Sequence, residues 1–280
     1  MARLKSEDFL LFHEDCISGM SRRLKPKSID IVVTSPPYNI GVKYGTYNDK
    51  IPRQEYLEWI ARWGAVVKSI LRDSGSLFLN IGSKPTDPQV PFEVLNALTG
   101  EFKLQNAIHW IKSIYVESGS YGIKTDINVG HYKPINSSRF LNDSHEYIFH
   151  LTKTGKVQLD RLALGVPYKD ESNISRWKSA AGRLRCRGNC WFIPYETIRS
   201  RENDRPHPAS FPPMLAENCI RLHGVGKRKS ITVLDPFMGL GNTGIACGKL
   251  GVKFVGFEID EYYYRKATEN LSGKTGHRGS

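Results

Sequence analysis

The 280-residue sequence predicts an α/β fold with a doubly wound, mostly parallel sheet. One observation behind this prediction is that short apolar runs alternate along the chain with segments of helical periodicity, which is the pattern of βαβ units. Another is that several runs end abruptly at a carboxylate, a proline pair or a Gly-rich turn, and open α/β sheets bind ligands at such strand ends. A chain of this length can bury one large core or two small ones, and we expect a single domain over residues 1–280.

Seven apolar runs are predicted to be strands and four periodic segments to be helices. The predicted strands are residues 9–13, 29–34, 76–81, 106–111, 145–151, 231–235 and 252–259. The predicted helices are residues 53–71, 90–98, 213–221 and 243–250. The first helix is expected to end before Asp73-Ser74-Gly75, because short polar residues and glycine favour turns.

Two long segments do not follow this alternation. Residues 113–143 are rich in Gly, Ser, Asn and Tyr, and residues 153–206 are basic with scattered aromatic residues. Long irregular segments in a compact domain usually carry function, so both are predicted to be insertions that line a substrate face. Residues 272–280 are small and polar and are expected to form a disordered tail.

The net charge of +12 favours a polyanionic partner, and nucleic acid is the first candidate. Basic residues are concentrated between residues 173 and 201, where Trp177, Trp191, Phe192 and Tyr195 are interleaved with them. Guanidinium groups pair with phosphates and with the guanine edge, and aromatic rings can stack on bases. The candidate DNA contacts are Arg176, Lys178, Arg183, Arg185 and Arg187. A solvated basic loop is the alternative.

The five cysteines are an odd number at irregular spacing, so we expect reduced thiols. Cys186 and Cys190 lack the second pair of ligands that a zinc site would need, and no metal is expected. The sequence has no run of 18 apolar residues, and its first residues lack the apolar core of a signal peptide. These features predict a cytoplasmic protein, or a nuclear one if the source is eukaryotic.

The most informative stretch is Ser35-Pro36-Pro37-Tyr38, which directly follows a predicted buried strand. Two consecutive prolines cannot continue a strand ladder, so the strand stops there. It then presents a hydroxyl, rigid carbonyls and an aromatic ring at its carboxyl end. These groups could hold a planar base by its exocyclic amine. The alternative is a Pro-Pro turn that only ends the strand.

A second motif runs from Asp235 to Thr243, where a strand leads through Gly239 and Gly241 into a helix. Glycines let the backbone approach a ligand closely, and the helix N-terminus favours negative charge. Glu258 ends the next strand and could accept hydrogen bonds from both hydroxyls of a ribose. The motif predicts a site for a nucleoside cofactor with an amino-acid or phosphate tail. Its two glycines without a third make a poor dinucleotide fingerprint, and a purely structural turn is the alternative.

The two motifs in this order resemble those of the type-β S-adenosylmethionine-dependent DNA amino-methyltransferases, over most of the chain. The resemblance includes the segments Asn106-Ala-Ile-His-Trp-Ile-Lys112, His145-Glu-Tyr-Ile-Phe-His150 and His207-Pro-Ala-Ser-Phe-Pro212. The tetrapeptide precedes the glycines, as in the permuted β arrangement of that family. Leu240 and Asn242 stand where the family often has Ser and Thr.

This resemblance implies a permuted Rossmann-like methyltransferase fold, S-adenosyl-L-methionine as the cofactor, and residues 153–206 as a target-recognition insertion. The implied cofactor-binding residues are Asp15, Cys16, Phe211, Asp235, Pro236, Phe237, Gly239, Gly241, Thr243 and Glu258. Asp15 would accept a hydrogen bond from the adenine amine, and the backbone N–H of Cys16 would meet the ring edge. For Asp15, a role as a helix cap is the alternative.

The implied catalytic residues are Ser35, Pro36, Pro37 and Tyr38. The Ser35 hydroxyl and the Pro36 carbonyl would accept the hydrogens of the amine of a flipped base, and Tyr38 would stack on that base. Ser-Pro-Pro-Tyr is typical of the cytosine-N4 enzymes of this family, so N4-methylcytosine is the expected product and adenine N6 the runner-up.

DNA is the implied partner, and the resemblance also allows a homodimer and a cognate restriction endonuclease acting on the same site. Two alternatives come from other classes. An NAD-dependent oxidoreductase would explain the glycines and Glu258 but not Ser35 to Tyr38. A catalytically silent DNA-binding module would explain the charge but not two intact site motifs.

Overall fold

The computed structural model describes residues 8–41, 49–119, 122–130, 135–170, 172, 174, 182–194, 210–227 and 230–273. In these ranges the chain forms twelve strands and six α-helices. The strands are β1 Phe9–His13, β2 Ile29–Thr34, β3 Leu71–Ile81, β4 Lys103–Ile111, β5 Ser113–Val116, β6 Ile127–Gly130, β7 His145–Thr152, β8 Val166–Pro167, β9 Leu184–Arg185, β10 Cys190–Phe192, β11 Thr232–Asp235 and β12 Lys253–Glu258. The helices are α1 Cys16–Arg23, α2 Arg53–Ile70, α3 Val90–Leu98, α4 Pro213–His223, α5 Asn242–Leu250 and α6 Glu261–Gly273.

Eight of the strands form one sheet in the order β1-β12-β11-β2-β3-β7-β4-β10. Strand β7 is antiparallel to both of its neighbours, and every other pair in the sheet is parallel. Seven strands therefore end at the same edge, where β7 begins. We call this edge the carboxyl edge. The fold class is the one predicted, a doubly wound and mostly parallel sheet.

Helices cover both faces of the sheet, which is why its central strand is apolar throughout. All six residues of β2 are buried. Ile31 and Val33 point to the face covered by α4, α5 and α6, and Val32 points to the face covered by α1, α2 and α3. Trp63 of α2 is fully buried in the second of these layers. The sheet is therefore the rigid base from which the strand ends project.

The turn expected at Asp73-Ser74-Gly75 is absent, since β3 begins at Leu71 directly after helix α2. Leu71 already pairs with Ile29 of β2, and the register shifts before the next pair. This irregularity leaves residues 72–74 exposed while the strand continues. Three extra residues on β3 thus take the place of the predicted turn.

The two irregular segments contain short strands. Strands β5 and β6 form a hairpin within residues 113–143, and β8 pairs with β9 within residues 153–206. Strand β10 joins the central sheet beside β4, and Trp191 at its centre is buried. The expectation that the Trp191 ring stacks on bases is therefore wrong, because it fills the core. The bounds of the insertion itself stay a prediction.

Three smaller expectations from the sequence are compared with the structure here. Cys16, Cys219 and Cys247 are free thiols, consistent with the reduced state expected, and their burial shows that they pack as small apolar residues. Helix α6 runs to Gly273, two residues into the predicted tail, and residues 274–280 lie outside the described ranges. Of the helices that the structure describes, none has both the length and the apolar character needed to cross a membrane.

A buried line of polar side chains crosses the sheet beneath α4. The His150 ring lies 2.9 Å from Asn106 Nδ2 through its Nδ1 and 2.9 Å from Ser76 Oγ through its Nε2. Ser76 Oγ lies 2.9 Å from Nδ1 of His223. Phe78 stacks on the His150 ring with 4.5 Å between centroids. Burial lowers the pKa of His150 to about 4, so the imidazole is neutral at pH 7.

We expect His150 to make the free energy of unfolding depend on pH. Between pH 6.5 and about 4 the unfolded chain binds a proton at this residue that the folded protein does not, so stability falls as the pH is lowered through this window. Relative to His150→Gln, the wild type should lose about 3 kcal/mol between pH 7 and pH 4. Urea titrations of both proteins at each pH measure this difference. The prediction would be contradicted if the free energy of unfolding changed equally with pH in the two proteins.

Candidate active site

A cavity opens at the carboxyl edge, where β1, β12, β11 and β2 end. Most of the predicted site residues line it. Those that do are Asp15, Cys16, Ser35, Pro36, Pro37, Phe211, Asp235, Pro236, Phe237, Gly239 and Glu258. Tyr38, Gly241 and Thr243 are not among the residues that line it. Residues predicted from two motifs about 200 positions apart thus meet in one space, because their strands β2 and β11 are neighbours.

The proline pair is held in place by the helix that follows it. The hydroxyl of Tyr56 in α2 donates a hydrogen bond of 2.8 Å to the carbonyl of Pro37. Beyond the motif, Asn39 has a positive φ of 56° and exchanges two hydrogen bonds with the backbone of Ile51. The chain therefore turns sharply after the motif. Pro36 is buried and Ser35 is half-buried at the cavity wall.

The Ser35 hydroxyl has a partner that the sequence did not reveal. Its Oγ lies 2.8 Å from the hydroxyl of Tyr38, which in turn lies 3.0 Å from a carboxylate oxygen of Glu146. Asn80 and Lys112 also bind Glu146. The resemblance covered the segments of Lys112 and Glu146, but no spacing along the chain relates them to Ser35.

The buried carboxylate of Asp235 links three parts of the site through hydrogen bonds. Its carboxylate accepts 2.7 Å hydrogen bonds from the hydroxyls of Thr34 and Thr243 and a 3.1 Å hydrogen bond from the backbone N–H of Phe237. Burial raises the pKa of Asp235 to about 6, while these three donors favour the charged form. The contacts explain why Thr243 belongs to the site without reaching the cavity. They join the end of β2, the end of β11 and the start of α5.

Two glycines let the turn after β11 bend toward Glu258. Gly239 and Gly241 have φ angles of 52° and 82°, in the left-handed region that suits glycine. The N–H of Gly239 donates a 2.8 Å hydrogen bond to Glu258 Oε2, and the N–H of Asp260 donates one of 2.9 Å to Oε1. Burial raises the pKa of Glu258, and these two N–H groups oppose that effect. Each oxygen keeps a second lone pair, so the carboxylate can still accept from two hydroxyls in the cavity.

Asp15 acts as a helix cap and also lines the cavity. Its Oδ1 accepts hydrogen bonds from the backbone N–H of Ser18 at 2.9 Å and from the Ser18 hydroxyl at 3.0 Å. The alternative role proposed for this residue is thus observed. Because Asp15 is exposed and lines the cavity as well, capping does not preclude a ligand contact.

Sequence reasoning missed two aromatic residues of the wall, Trp59 and Tyr263. The Trp59 ring packs against Phe237 with 5.6 Å between centroids, and Trp63, one turn further along α2, packs against the same phenylalanine at 5.7 Å. The pair of tryptophans four positions apart in a predicted helix was the available signal, since such residues share one face. These rings give the cavity flat apolar surfaces.

The predicted DNA contacts are described only in part. Arg183, Arg185 and Arg187 are exposed, whereas Arg176 and Lys178 lie outside the described residues. From Arg187 the chain runs into β10, whose last residue pairs with Ile111 at the end of β4. The exposed arginines are thus carried by a segment that leads to the same edge as the cavity.

Comparisons with known proteins identify a family and structures of similar fold. The family described as DNA methylase matches residues 29–269. Type II methyltransferase M.HpaI of Haemophilus parainfluenzae is 26% identical over 256 residues, which cover 90% of this chain and 71% of that protein. The structure of PvuII DNA methyltransferase (cytosine-N4-specific) matches with a TM-score of 0.63 at 18% identity, over 96% of this chain and 93% of that chain. The M1.HpyAVI–SAM complex matches with a TM-score of 0.55 at 21% identity, over 94% and 100% of the two chains.

Replacing Thr243 by Val should weaken the hydrogen-bond network around the Asp235 carboxylate. The variant keeps the shape of the side chain but removes a donor to a buried carboxylate, so the pKa of Asp235 should rise further above its ordinary range. We expect the free energy of unfolding to fall by about 1.5–3 kcal/mol at pH 8, where the group is charged, and by less at pH 5. Urea denaturation at both pH values measures the loss.

Thr268→Val is the matched control, because the Thr268 hydroxyl donates to the neutral backbone carbonyl of Tyr264. Its loss of stability should be the same at both pH values. An equally pH-independent loss for Thr243→Val would mean that Asp235 is not the charged partner.

Proposed function

We propose a specific reaction for this chain, which belongs to the DNA methylase family. The family match spans residues 29–269, so the protein is a DNA methyltransferase, and the oxidoreductase alternative is set aside. The proposed reaction transfers a methyl group from S-adenosyl-L-methionine to the exocyclic N4 of cytosine in DNA. The observation that carries this proposal is that Ser35 and Glu258 line one cavity.

The residues of the cavity fit S-adenosyl-L-methionine. Glu258 offers two acceptor positions for ribose hydroxyls, and Asp15 offers a carboxylate for the adenine amine. Phe237 and Trp59 supply the flat apolar surfaces that an adenine ring needs. The cofactor when bound supplies a methyl group already activated on a sulfonium. The structure of the M1.HpyAVI–SAM complex, which has a similar fold, supports the same cofactor for this chain.

The chain has to bring the amine to the methyl group in the correct geometry. The Ser35 hydroxyl and the Pro36 carbonyl are proposed to accept the two hydrogens of the amine, which frees the nitrogen lone pair from the base. Pro37 and Tyr56 hold this strand end rigid. Positioning of this kind is expected to supply most of the rate enhancement, since no metal or covalent intermediate is required. The stacking of Tyr38 on the base stays a prediction.

Cytosine N4 is proposed over adenine N6 because the tetrapeptide begins with Ser35. The similar PvuII enzyme, whose name gives it as cytosine-N4-specific, supports this choice. Adenine N6 remains the second candidate within the family. DNA is the proposed substrate, and a homodimer and a cognate restriction endonuclease stay predictions of the resemblance. The Type II methyltransferases among the relatives support the latter.

The product decides between the two bases. The protein is incubated with DNA and methyl-labelled S-adenosyl-L-methionine, and the digested DNA is analysed by mass spectrometry. We expect labelled N4-methylcytosine, and N6-methyladenine as the only product would overturn the base assignment. Ser35→Ala should lower the single-turnover rate while cofactor affinity stays nearly unchanged, because the hydrogen bond that it removes matters most as the nitrogen changes geometry. Ser69→Ala, on the exposed face of α2, should match the wild type.

The exposed arginines should contribute to DNA affinity through the phosphates. Replacing Arg183, Arg185 and Arg187 together by Ala should weaken DNA binding and flatten its dependence on salt, since fewer counterions are released. The slope of log K against log salt should change by up to about 0.9 for each phosphate that is no longer neutralised. Fluorescence anisotropy at several salt concentrations measures the slope.

A second triple variant controls for net charge. It removes three positive charges at the opposite edge of the sheet, at Lys27, Lys68 and Arg72. This variant should keep the salt slope of the wild type. If both triple variants change the slope equally, the arginine segment has no specific role in binding DNA.

A further inference from the structure

Behind Ser35 lies a continuous line of hydrogen bonds that ends at a carboxylate. Ser35 Oγ lies 2.8 Å from the Tyr38 hydroxyl, and the Tyr38 hydroxyl lies 3.0 Å from Glu146 Oε2. Asn80 Nδ2 lies 2.7 Å from the same oxygen of Glu146 and 2.8 Å from the Tyr38 hydroxyl. Lys112 Nζ binds the other oxygen of Glu146 at 3.0 Å. We call these five residues the Glu146 chain.

The partners determine where each hydrogen points. A carboxylate paired with a lysine only accepts, so Tyr38 donates its hydroxyl hydrogen to Glu146. The amide nitrogen of Asn80 only donates, so the Tyr38 oxygen accepts from it. Ser35, whose contact with Tyr38 could run either way, must then be the donor to the Tyr38 oxygen. Asn80 Nδ2 also lies 3.5 Å from Ser35 Oγ, at the limit of a hydrogen bond, so at least one lone pair of Ser35 Oγ is left for a donor in the cavity.

The orientation of Asn80 supports this assignment. Its Oδ1 is buried and has no hydrogen-bond partner among the described residues. Turning the amide over would give Oδ1 other neighbours, but it would bring an oxygen within 2.7 Å of the Glu146 carboxylate. An unsatisfied buried carbonyl is costly, yet two acceptors in contact next to a negative charge would be worse. The Glu146 carboxylate therefore fixes the orientation of the Asn80 amide, with Nδ2 toward Glu146.

The Glu146 chain is also closely enclosed. The side chains of Glu146 and Lys112 are only 12% and 15% exposed. A Cβ on Gly82 would lie 3.0 Å from both the Glu146 carboxyl carbon and the Tyr38 ring, so a glycine there leaves room for the two side chains. Burying a charged pair has a large desolvation cost, and apolar residues of similar size are often at least as stable. A role beyond stability would explain the pair.

We propose that Glu146 is a positioning residue for methyl transfer, which sets the Ser35 hydroxyl as an acceptor and receives the proton that the target amine must lose. The inference rests on the proposed function, because it needs an amine bound at Ser35. A serine hydroxyl can donate as readily as it accepts. Without Glu146 its hydrogen could point into the cavity, against the hydrogens of the amine.

The proton balance follows from the same contacts. After the nitrogen gains the methyl group it carries a positive charge and one hydrogen too many. That N–H bond breaks as the proton passes to Ser35 Oγ, the Ser35 proton passes to the Tyr38 oxygen, and the Tyr38 proton passes to Glu146 Oε2. Ser35 and Tyr38 are regenerated as hydroxyls, the amine becomes neutral, and Glu146 becomes a carboxylic acid beside Lys112.

The test compares Glu146→Gln, Tyr38→Phe and the double variant in single-turnover methyl transfer. Glu146→Gln keeps the shape but removes the charge. If its amide nitrogen faces Asn80 and Tyr38, the polarity of the hydrogen bonds is lost, and if that nitrogen faces Lys112, the remaining carbonyl oxygen still accepts from Tyr38 but is too weak a base to receive the proton. Each single variant should be slower by about 100-fold, in the range of acid–base groups. The double variant should be no slower than the worse single variant, because both interrupt one chain. The dissociation constant of the cofactor should stay within twofold for all three.

Glu217→Gln is the matched control, since Glu217 is 13% exposed and paired with Lys249 and Arg221, but lies on α4. It should leave the rate unchanged. If Glu146→Gln is also within twofold of an active wild type, or if the effects of Glu146→Gln and Tyr38→Phe multiply, the inference is overturned while the proposed function stands. A wild type that transfers no methyl group overturns the proposed function and the inference with it.

The hydrogen bonds themselves are tested without activity. In urea unfolding, the decrease in midpoint for the double variant should be smaller than the sum of the decreases for the two single variants, because the two residues share one bond. Additive decreases would overturn the Glu146 chain whatever reaction the protein catalyses. A structural role alone would give this coupling but would leave the single-turnover rate of folded Glu146→Gln intact.

Discussion

The hydrogen bonds of the buried Asp235 carboxylate are the constraint on which the rest of the site depends. Asp235 ends β11, and its two hydroxyl partners are Thr34 at the end of β2 and Thr243 in the first turn of α5. Ser35 is the next residue after Thr34, and the turn containing Gly239 follows Asp235 directly. One carboxylate therefore sets the distance between the strand end that carries Ser35 and the turn whose Gly239 N–H binds Glu258. The buried position of Asp235, which raises its pKa to about 6, makes its donors essential.

The sequence was sufficient to predict the parts of the site that lie at strand ends. Strand β2 and its proline pair, and the strand–glycine–helix unit at Asp235, have local signals, so their positions follow from short stretches of sequence. Parallel pairing of β2 and β11 then brings them together without further information. Glu258 was found for the same reason, as the carboxylate that ends the next strand along the sheet.

The Glu146 chain could not be predicted in this way. Asn80 and Glu146 are 66 positions apart in the sequence, and they meet only because β7 runs against its neighbours and begins where β3 ends. Nothing in an apolar run indicates whether the strand will be parallel or antiparallel. The prediction that Trp191 stacks on bases was wrong for a related reason. An aromatic residue within a basic segment suggested a surface role, but β10 pairs with β4 and buries the Trp191 ring in the core.

In the proposed mechanism, Ser35 and the Glu146 chain meet one chemical requirement together. A carboxylate at position 35 would accept hydrogen bonds in every orientation, and it would need no neighbour to direct it. A hydroxyl carries its own hydrogen, so an acceptor made from serine has to be oriented by its surroundings. Tyr38 takes up that hydrogen, and Glu146 takes up the hydrogen of Tyr38. In the proposed mechanism, the neutral Ser35 therefore depends on the charged Glu146 to orient its hydroxyl.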